Sequence, residues 1–149
     1  MSFYRSSHAV FECQYHLVWT TKYRKRALLL SEQRRFCEET LRRVAYEYGM
    51  RVQAIEVDRD HVHLYLDIPP QRSVGRAVGI LKSISARIMF RAYPGLKRKM
   101  WSGELWSPSY FARTVGEGVT AAMVRRYIEH HSDQGLEPAQ GVLFPKGKG

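Results

Sequence analysis

The sequence predicts an α+β domain of the ferredoxin-like split βαβ type: an antiparallel sheet with helices on one face, plus an extra C-terminal helix. Three observations predict it. Strand-like and helix-like stretches follow one another in the order β-α-β-β-α-β. Each long helix-like stretch carries a single apolar stripe. The stretch "DHVHLYLDIPP", Asp60 to Pro70, is aliphatic at Val62, Leu64, Leu66 and Ile68 and polar or aromatic at His61, His63, Tyr65 and Asp67.

The elements follow in order. "VFECQYHLVWT", Val10 to Thr20, is rich in aromatic and β-branched residues and predicts the first strand. In "SEQRRFCEETLRRVAYEYG", Ser31 is the expected N-cap, Glu32 suits the first turn and Gly49 the stop; Phe36, Leu41, Val44, Ala45 and Tyr48 form the stripe. "MRVQAIEVD" predicts a second strand and "DRD" the turn into the histidine strand, which Pro69 and Pro70 end. Ser73 caps a second helix whose Val74, Ala77, Val78, Leu81, Ile84, Ile88 and Met89 keep helical spacing up to Pro94. The loop "KMWSGELWSPS" leads to a last strand in "SYFARTVG", and "VTAAMVRRYIEHHSD" reads as a short final helix before Gly135. One domain is expected over 1–149, with its core at about 9–132 and a tail at 133–149.

Composition narrows the function. The 149 residues carry 24 Lys+Arg against 14 Asp+Glu, a net charge of +10, which favours a polyanionic partner such as nucleic acid. No apolar run reaches the roughly 20 residues that span a bilayer. "MSFYRSSHAVFEC" does not read as a signal peptide, and two distant cysteines without a CxxC fit reduced thiols. A cytoplasmic protein with no membrane partner is expected.

On a strand, His61 and His63 share the face left open by the helices. An H-x-H pair is by itself a weak motif, and metal binding needs a third ligand and a task for the metal. The final helix offers both. In "RRYIEHH", Tyr127 and His131 are four residues apart and share a helix face, while His130 is displaced by roughly 100° and can point elsewhere. His61, His63 and His131 would give three imidazoles, with Tyr127 one turn away. A phenol of pKa about 10 is a poor nucleophile at neutral pH and needs a polarised electrophile. A divalent ion on a phosphate oxygen supplies that polarisation, so attack on phosphorus would break a DNA strand and leave a phosphotyrosine.

"YHLVWTTKYR" (Tyr15 to Arg24), "DHVHLYLDIPP", "LWSPSYFARTVG" (Leu105 to Gly116) and "VRRYIEHH" (Val124 to His131), in that order, resemble the single-tyrosine HUH transposases (TnpA-type) of small bacterial and archaeal insertion sequences. The resemblance implies a homodimer with active sites shared between subunits, acting on single-stranded DNA with hairpin ends. It implies 5′-phosphotyrosine links and a divalent cofactor, magnesium or manganese. Carried over by position, His61 and His63 are metal ligands and Tyr127 is the nucleophile. Relatives commonly have glutamine where this chain has His131, which retains the ligand role, with His130 as a substitute, and softens the site toward manganese or zinc. "GEG", Gly116 to Gly118, fits a hinge that could carry Tyr127 to the partner subunit.

Lys22, Arg24, Lys25, Arg26, Arg76, Lys82 and Arg87 are the expected phosphate contacts, with binding that weakens steeply in salt. Two other readings stay open on the residues alone. One is a non-catalytic single-stranded nucleic-acid-binding module in which Tyr65 and Tyr15 stack bases. The other is a metal-dependent phosphodiesterase in which water attacks.

Overall fold

Among the residues that the computed structural model describes, namely 4–5, 10–11, 13–114 and 126–129, nine strands and α-helices stand beside a 3-10 turn at Lys22–Arg24 and a helical turn at 126–129. They are β1 (Tyr4–Arg5), β2 (Val10–Phe11), β3 (Gln14–Thr20), α1 (Ser31–Glu47), β4 (Arg51–Val57), β5 (His61–Asp67), α2 (Val74–Ala92), α3 (Pro94–Lys99) and β6 (Phe111–Thr114). The main sheet has the order β4-β5-β3-β6, with every neighbouring pair antiparallel. Strands β3 and β4, joined through α1, are parted by β5; strands β5 and β6, joined through α2, are parted by β3. That is the split topology expected from the sequence.

Alternation along the central strands sets the layers. Leu17 and Trp19 of β3 and Val62, Leu64 and Leu66 of β5 share one buried cluster with Cys37, Leu41, Val44 and Ala45 of α1 and Ala77, Val78, Leu81 and Met89 of α2. Both long helices therefore cover one face, and residues of the opposite parity look out from the other. The helix ends follow local chemistry. Ser73 accepts a hydrogen bond from the Arg76 N–H at 3.0 Å, as an N-cap should. Gly49, at φ +74°, closes α1 with bonds from its own N–H to Tyr46 and from Met50 N–H to Ala45 (3.1 and 2.8 Å).

Three expectations change. The first strand is divided: Val10–Phe11 pairs with Tyr4–Arg5 in a separate ribbon, and the Cys13 carbonyl accepts from Ile68 N–H at 2.9 Å. Ser31 is the first helical residue and Leu30 is the cap, because Gln33 Oε1 reaches back to the Leu30 N–H at 3.2 Å. Pro94 ends α2 but also opens α3, where its fixed φ suits the first turn and its missing N–H is not needed. Cys37 is a buried free thiol, and burial, helped by Glu38, pushes it up to about 12. Among the described residues no helix is long and apolar enough to cross a membrane.

The tryptophan loop is pinned to the core. Trp106 meets Trp19 edge-on at 5.9 Å, and its indole N–H donates to Ser85 Oγ at 3.0 Å, with both residues buried. Ser85→Ala would leave that N–H without its acceptor, so we expect a loss of about 1–3 kcal/mol in urea unfolding. A Ser85→Thr variant, which keeps the hydroxyl, should lose less.

Candidate active site

The register of the sheet builds the open face row by row. Glu56, His63, Val18 and Phe111 stand side by side across β4, β5, β3 and β6; the next row is Ala54, Tyr65, His16 and Arg113; and Thr20 is opposite His61. Residues 126–129 are helical and bring Tyr127 onto this face, where it packs on Val18 and Phe111, 5.8 Å from the Phe111 ring. Tyr127 thus lies on its own chain's sheet, above the strand adjacent to His63, and neighbouring strands are about 4.8 Å apart. The ring is 1% exposed. Burial raises the phenol pKa well above the usual tyrosine value, while a hydrogen bond with the Ser109 side chain works in the opposite direction.

Each histidine of the strand has a defined neighbour. His61 Nδ1 lies 2.9 Å from Asp60 Oδ1. Burial pushes Asp60 upward, but the bonds from His61 and Arg24 and their charges outweigh it and hold its carboxyl below the usual range. An ionised carboxylate can only accept, so His61 donates to it from Nδ1 and its Nε2 is the nitrogen left to face a ligand. His63 Nε2 is 3.4 Å from His16 Nδ1, and the His16 ring stacks on Tyr65 at 5.0 Å. A cavity of about 290 Å³ opens beside them, lined by His16, Ala54, Ile55, Glu56, His63 and Tyr65. Burial, then the neighbouring His16, depresses the His63 pKa against the pull of Glu56; burial alone lowers that of His16.

These features fit a cation only in part. Imidazoles in their neutral form, oriented by a carboxylate as His61 is by Asp60, are the ligand form a divalent ion requires. Among the described residues, however, no three His, Cys, Asp or Glu converge on a cation-sized site. His131 and the substitute His130 lie outside the described residues, as do Gly116 to Gly118 and the tail.

The expected phosphate contacts fall into three groups. Lys25 and Arg26 are exposed near the histidine end of β3, and Lys22 is ion-paired with Glu104 at 3.0 Å. Arg76 and Arg87 are exposed on α2, behind the sheet. Lys82 turns inward, donating from Nζ to the Ser107 and Ser109 carbonyls at 2.5 and 3.1 Å, and burial lowers its pKa to about 8. Arg24 donates from Nε to Asp60 Oδ2 at 2.8 Å and from Nη1 to the Ile128 carbonyl at 3.1 Å. Tyr15 faces the core with Leu17 and Trp19, so it is not on the open face with Tyr65. Asp67, at the end of the histidine strand, is 0% exposed and accepts from Gln53 Nε2 at 2.7 Å.

The sequence reading passed over His16, Asp60 and the seat formed by Val18 and Phe111. Asp60 carried a local signal, directly preceding the first histidine. His16 carried none, because its nearness to His63 depends on which strands pair and in what register.

A family model described as "Transposase IS200 like" matches residues 9–131. The chain is 44% identical over 125 residues to the ISDra2 transposase TnpA of Deinococcus radiodurans, covering 84% of this chain and 88% of that protein. It is 33% identical over 128 residues to the transposase for insertion sequence element IS200 of Salmonella typhimurium, covering 86% and 82% respectively. A crystal structure of a candidate transposase from Deinococcus radiodurans R1 superposes with a TM-score of 0.78 at 41% identity, covering 86% of this chain and 97% of that one.

The depressed histidines make stability depend on acid. His16 and His63 titrate below 6.5 when folded, so their contribution is complete above the unfolded value and is lost as pH falls through the lower folded values. In urea unfolding, wild-type protein should lose more stability between pH 7 and pH 5 than the His16→Gln/His63→Gln double variant. Parallel losses would contradict it.

Proposed function

The chain belongs to the family of IS200-like transposases, and from that premise we propose that it is a single-tyrosine HUH enzyme that cuts and rejoins single-stranded DNA at insertion-sequence ends. The observation that supports this most is the seat of Tyr127 on Val18, the direct cross-strand neighbour of His63, on the face that also carries His61.

In the forward step the Tyr127 oxygen forms a bond to a backbone phosphorus and the bond from that phosphorus to the 3′-oxygen breaks. The phenol proton is given up and the 3′-oxygen leaves as a hydroxyl, so the count of phosphodiester bonds is unchanged. Attack by a 3′-hydroxyl on the phosphotyrosine is the reverse and reseals a strand without a nucleotide cofactor. His61, His63 and His131 would hold a divalent ion, magnesium or manganese, which when bound supplies charge stabilisation at the phosphate. Asp60 keeps the His61 ring in one tautomer and orientation. Rotation of the Tyr127 ring out of its apolar seat, with the backbone of residues 126–129 staying on the sheet, would bring the phenol to a wetter and more polar setting, where its ionisation costs less.

A homodimer bound to hairpin-ended DNA is part of the proposal. The single chain seats Tyr127 on its own sheet, and the shared active sites that the resemblance implies would require residues 126–129 to leave Val18 and Phe111 for the partner subunit.

Incubation with labelled single-stranded DNA and manganese, followed by denaturation, tests the chemistry. We expect a covalent adduct that is lost in Tyr127→Phe and in His61→Ala/His63→Ala. Cleavage without adduct would point to water as the nucleophile; binding without cleavage would leave a binding module. Mixed dimers of His61→Ala and Tyr127→Phe subunits should stay inactive if the tyrosine serves its own histidines, and should recover activity if it serves the partner's.

A further inference from the structure

We infer that Arg24 is a positioning residue that docks the tyrosine segment onto the histidine strand, and not a phosphate contact. The inference deepens the transesterification reading and rests on it for its catalytic consequence.

The geometry is a continuous path. His61 Nδ1 meets Asp60 Oδ1 at 2.9 Å; the other Asp60 oxygen accepts from Arg24 Nε at 2.8 Å; and Arg24 Nη1 donates to the carbonyl of Ile128, the residue after the tyrosine, at 3.1 Å. The path is sheltered, with the Arg24 and Asp60 side chains 22% and 13% exposed. A guanidinium suits this task because its N–H groups form a rigid planar fork that serves a carboxylate and a carbonyl at once. An ammonium would have the charge without the fork.

The backbone beneath Arg24 is built for the same end. Tyr23 and Arg24 are consecutive non-glycine residues in the left-handed region, at φ 57° and 51°. They are held there by Arg24 N–H to Thr21 O at 2.8 Å, Lys25 N–H to Lys22 O at 3.2 Å and Thr21 Oγ1 to Lys25 O at 2.5 Å. Such outliers persist where the surrounding structure over-determines them, and here the bend delivers one side chain between the two halves of the site. A residue whose only duty was to meet a mobile phosphate on an exposed surface would not require it. Its exposed neighbours Lys25 and Arg26 suit that duty better.

The test compares Arg24→Lys with wild type in two arms. In the first, without DNA or added metal, the full-length chain is treated with tetranitromethane and nitration at residue 127 is followed by peptide mapping. Tyr127 is 1% exposed when docked, so wild type should react slowly and Arg24→Lys at least about tenfold faster. In the second, single-turnover adduct formation at saturating DNA should fall about a hundredfold, the scale of a misplacement of about 1 Å, while DNA affinity stays within about twofold. Nitration at the wild-type rate would overturn the inference, as would weakened affinity with an unchanged saturating rate, which is the mark of a phosphate contact. If Arg24→Lys does not fold, Asp60→Asn removes the anionic anchor of the fork and should raise nitration at 127 in the same way; an unchanged rate again overturns it. Wild-type protein that nitrates as expected but forms no adduct would refute the transesterification reading and leave the docking role standing.

Discussion

The burial of Val62, Leu64 and Leu66 against the two long helices is the constraint on which the rest of the molecule depends. Strand side chains alternate, so driving those aliphatic groups into the core commits His61, His63 and Tyr65 to the opposite face with no further instruction. A slip of one residue in β5 would exchange the two sets and bury both imidazoles among leucines, so the hydrophobic pattern also protects the chemistry. The same constraint in β3 places His16 and Val18 outward, alternating with the inward Tyr15, Leu17 and Trp19. On the proposed chemistry, the two central strands fix where Tyr127 and the histidines can meet.

A second layer of order lies at one end of these strands. Thr21 N–H bonds to Asp60 O at 2.9 Å, Leu28 N–H to Arg59 O at 3.1 Å and Asp58 N–H to His61 O at 2.8 Å, so the segment after β3 and the turn before β5 form one rigid corner. Such a corner can sustain two left-handed residues, each costing of order 1 kcal/mol or more. It also explains how the Asp60 carboxylate can be shared between an imidazole and a guanidinium without wandering. The apolar face folds the domain, and the polar corner orients what that face presents.

What could be read from the sequence was what depends on near neighbours. The period of β5, the stripe of α2, the Ser73 cap and the Gly49 stop each rest on contacts within a few residues, and each stands in the structure. What could not be read depends on partners far along the chain. His16 lies 47 residues from His63, and Arg24 lies 104 residues from Ile128. An arginine in "KYRKR" looks the same whether it meets a phosphate or a buried carbonyl, and Lys82 looked equally available until the tryptophan loop closed over it. Tyr15 was assigned to base stacking by residue type, but its strand parity puts it in the core. Tyr127 is singled out by its four-residue spacing from His131, and the family resemblance adds the role of nucleophile through motif order, which carries long-range information that periodicity lacks.

The apolar berth of Tyr127 has a consequence for the idle enzyme. Full burial of an aromatic ring is worth about 1.5–3 kcal/mol over exposure, which confines the freed ring to roughly a tenth to a hundredth of molecules at rest. On the proposed chemistry, a chain without DNA is therefore largely disarmed: its nucleophile is protonated, hidden from water and from stray electrophiles. A bound strand has to compensate for that preference before cutting begins, and the sheet that presents the histidines thereby also acts as a safety catch.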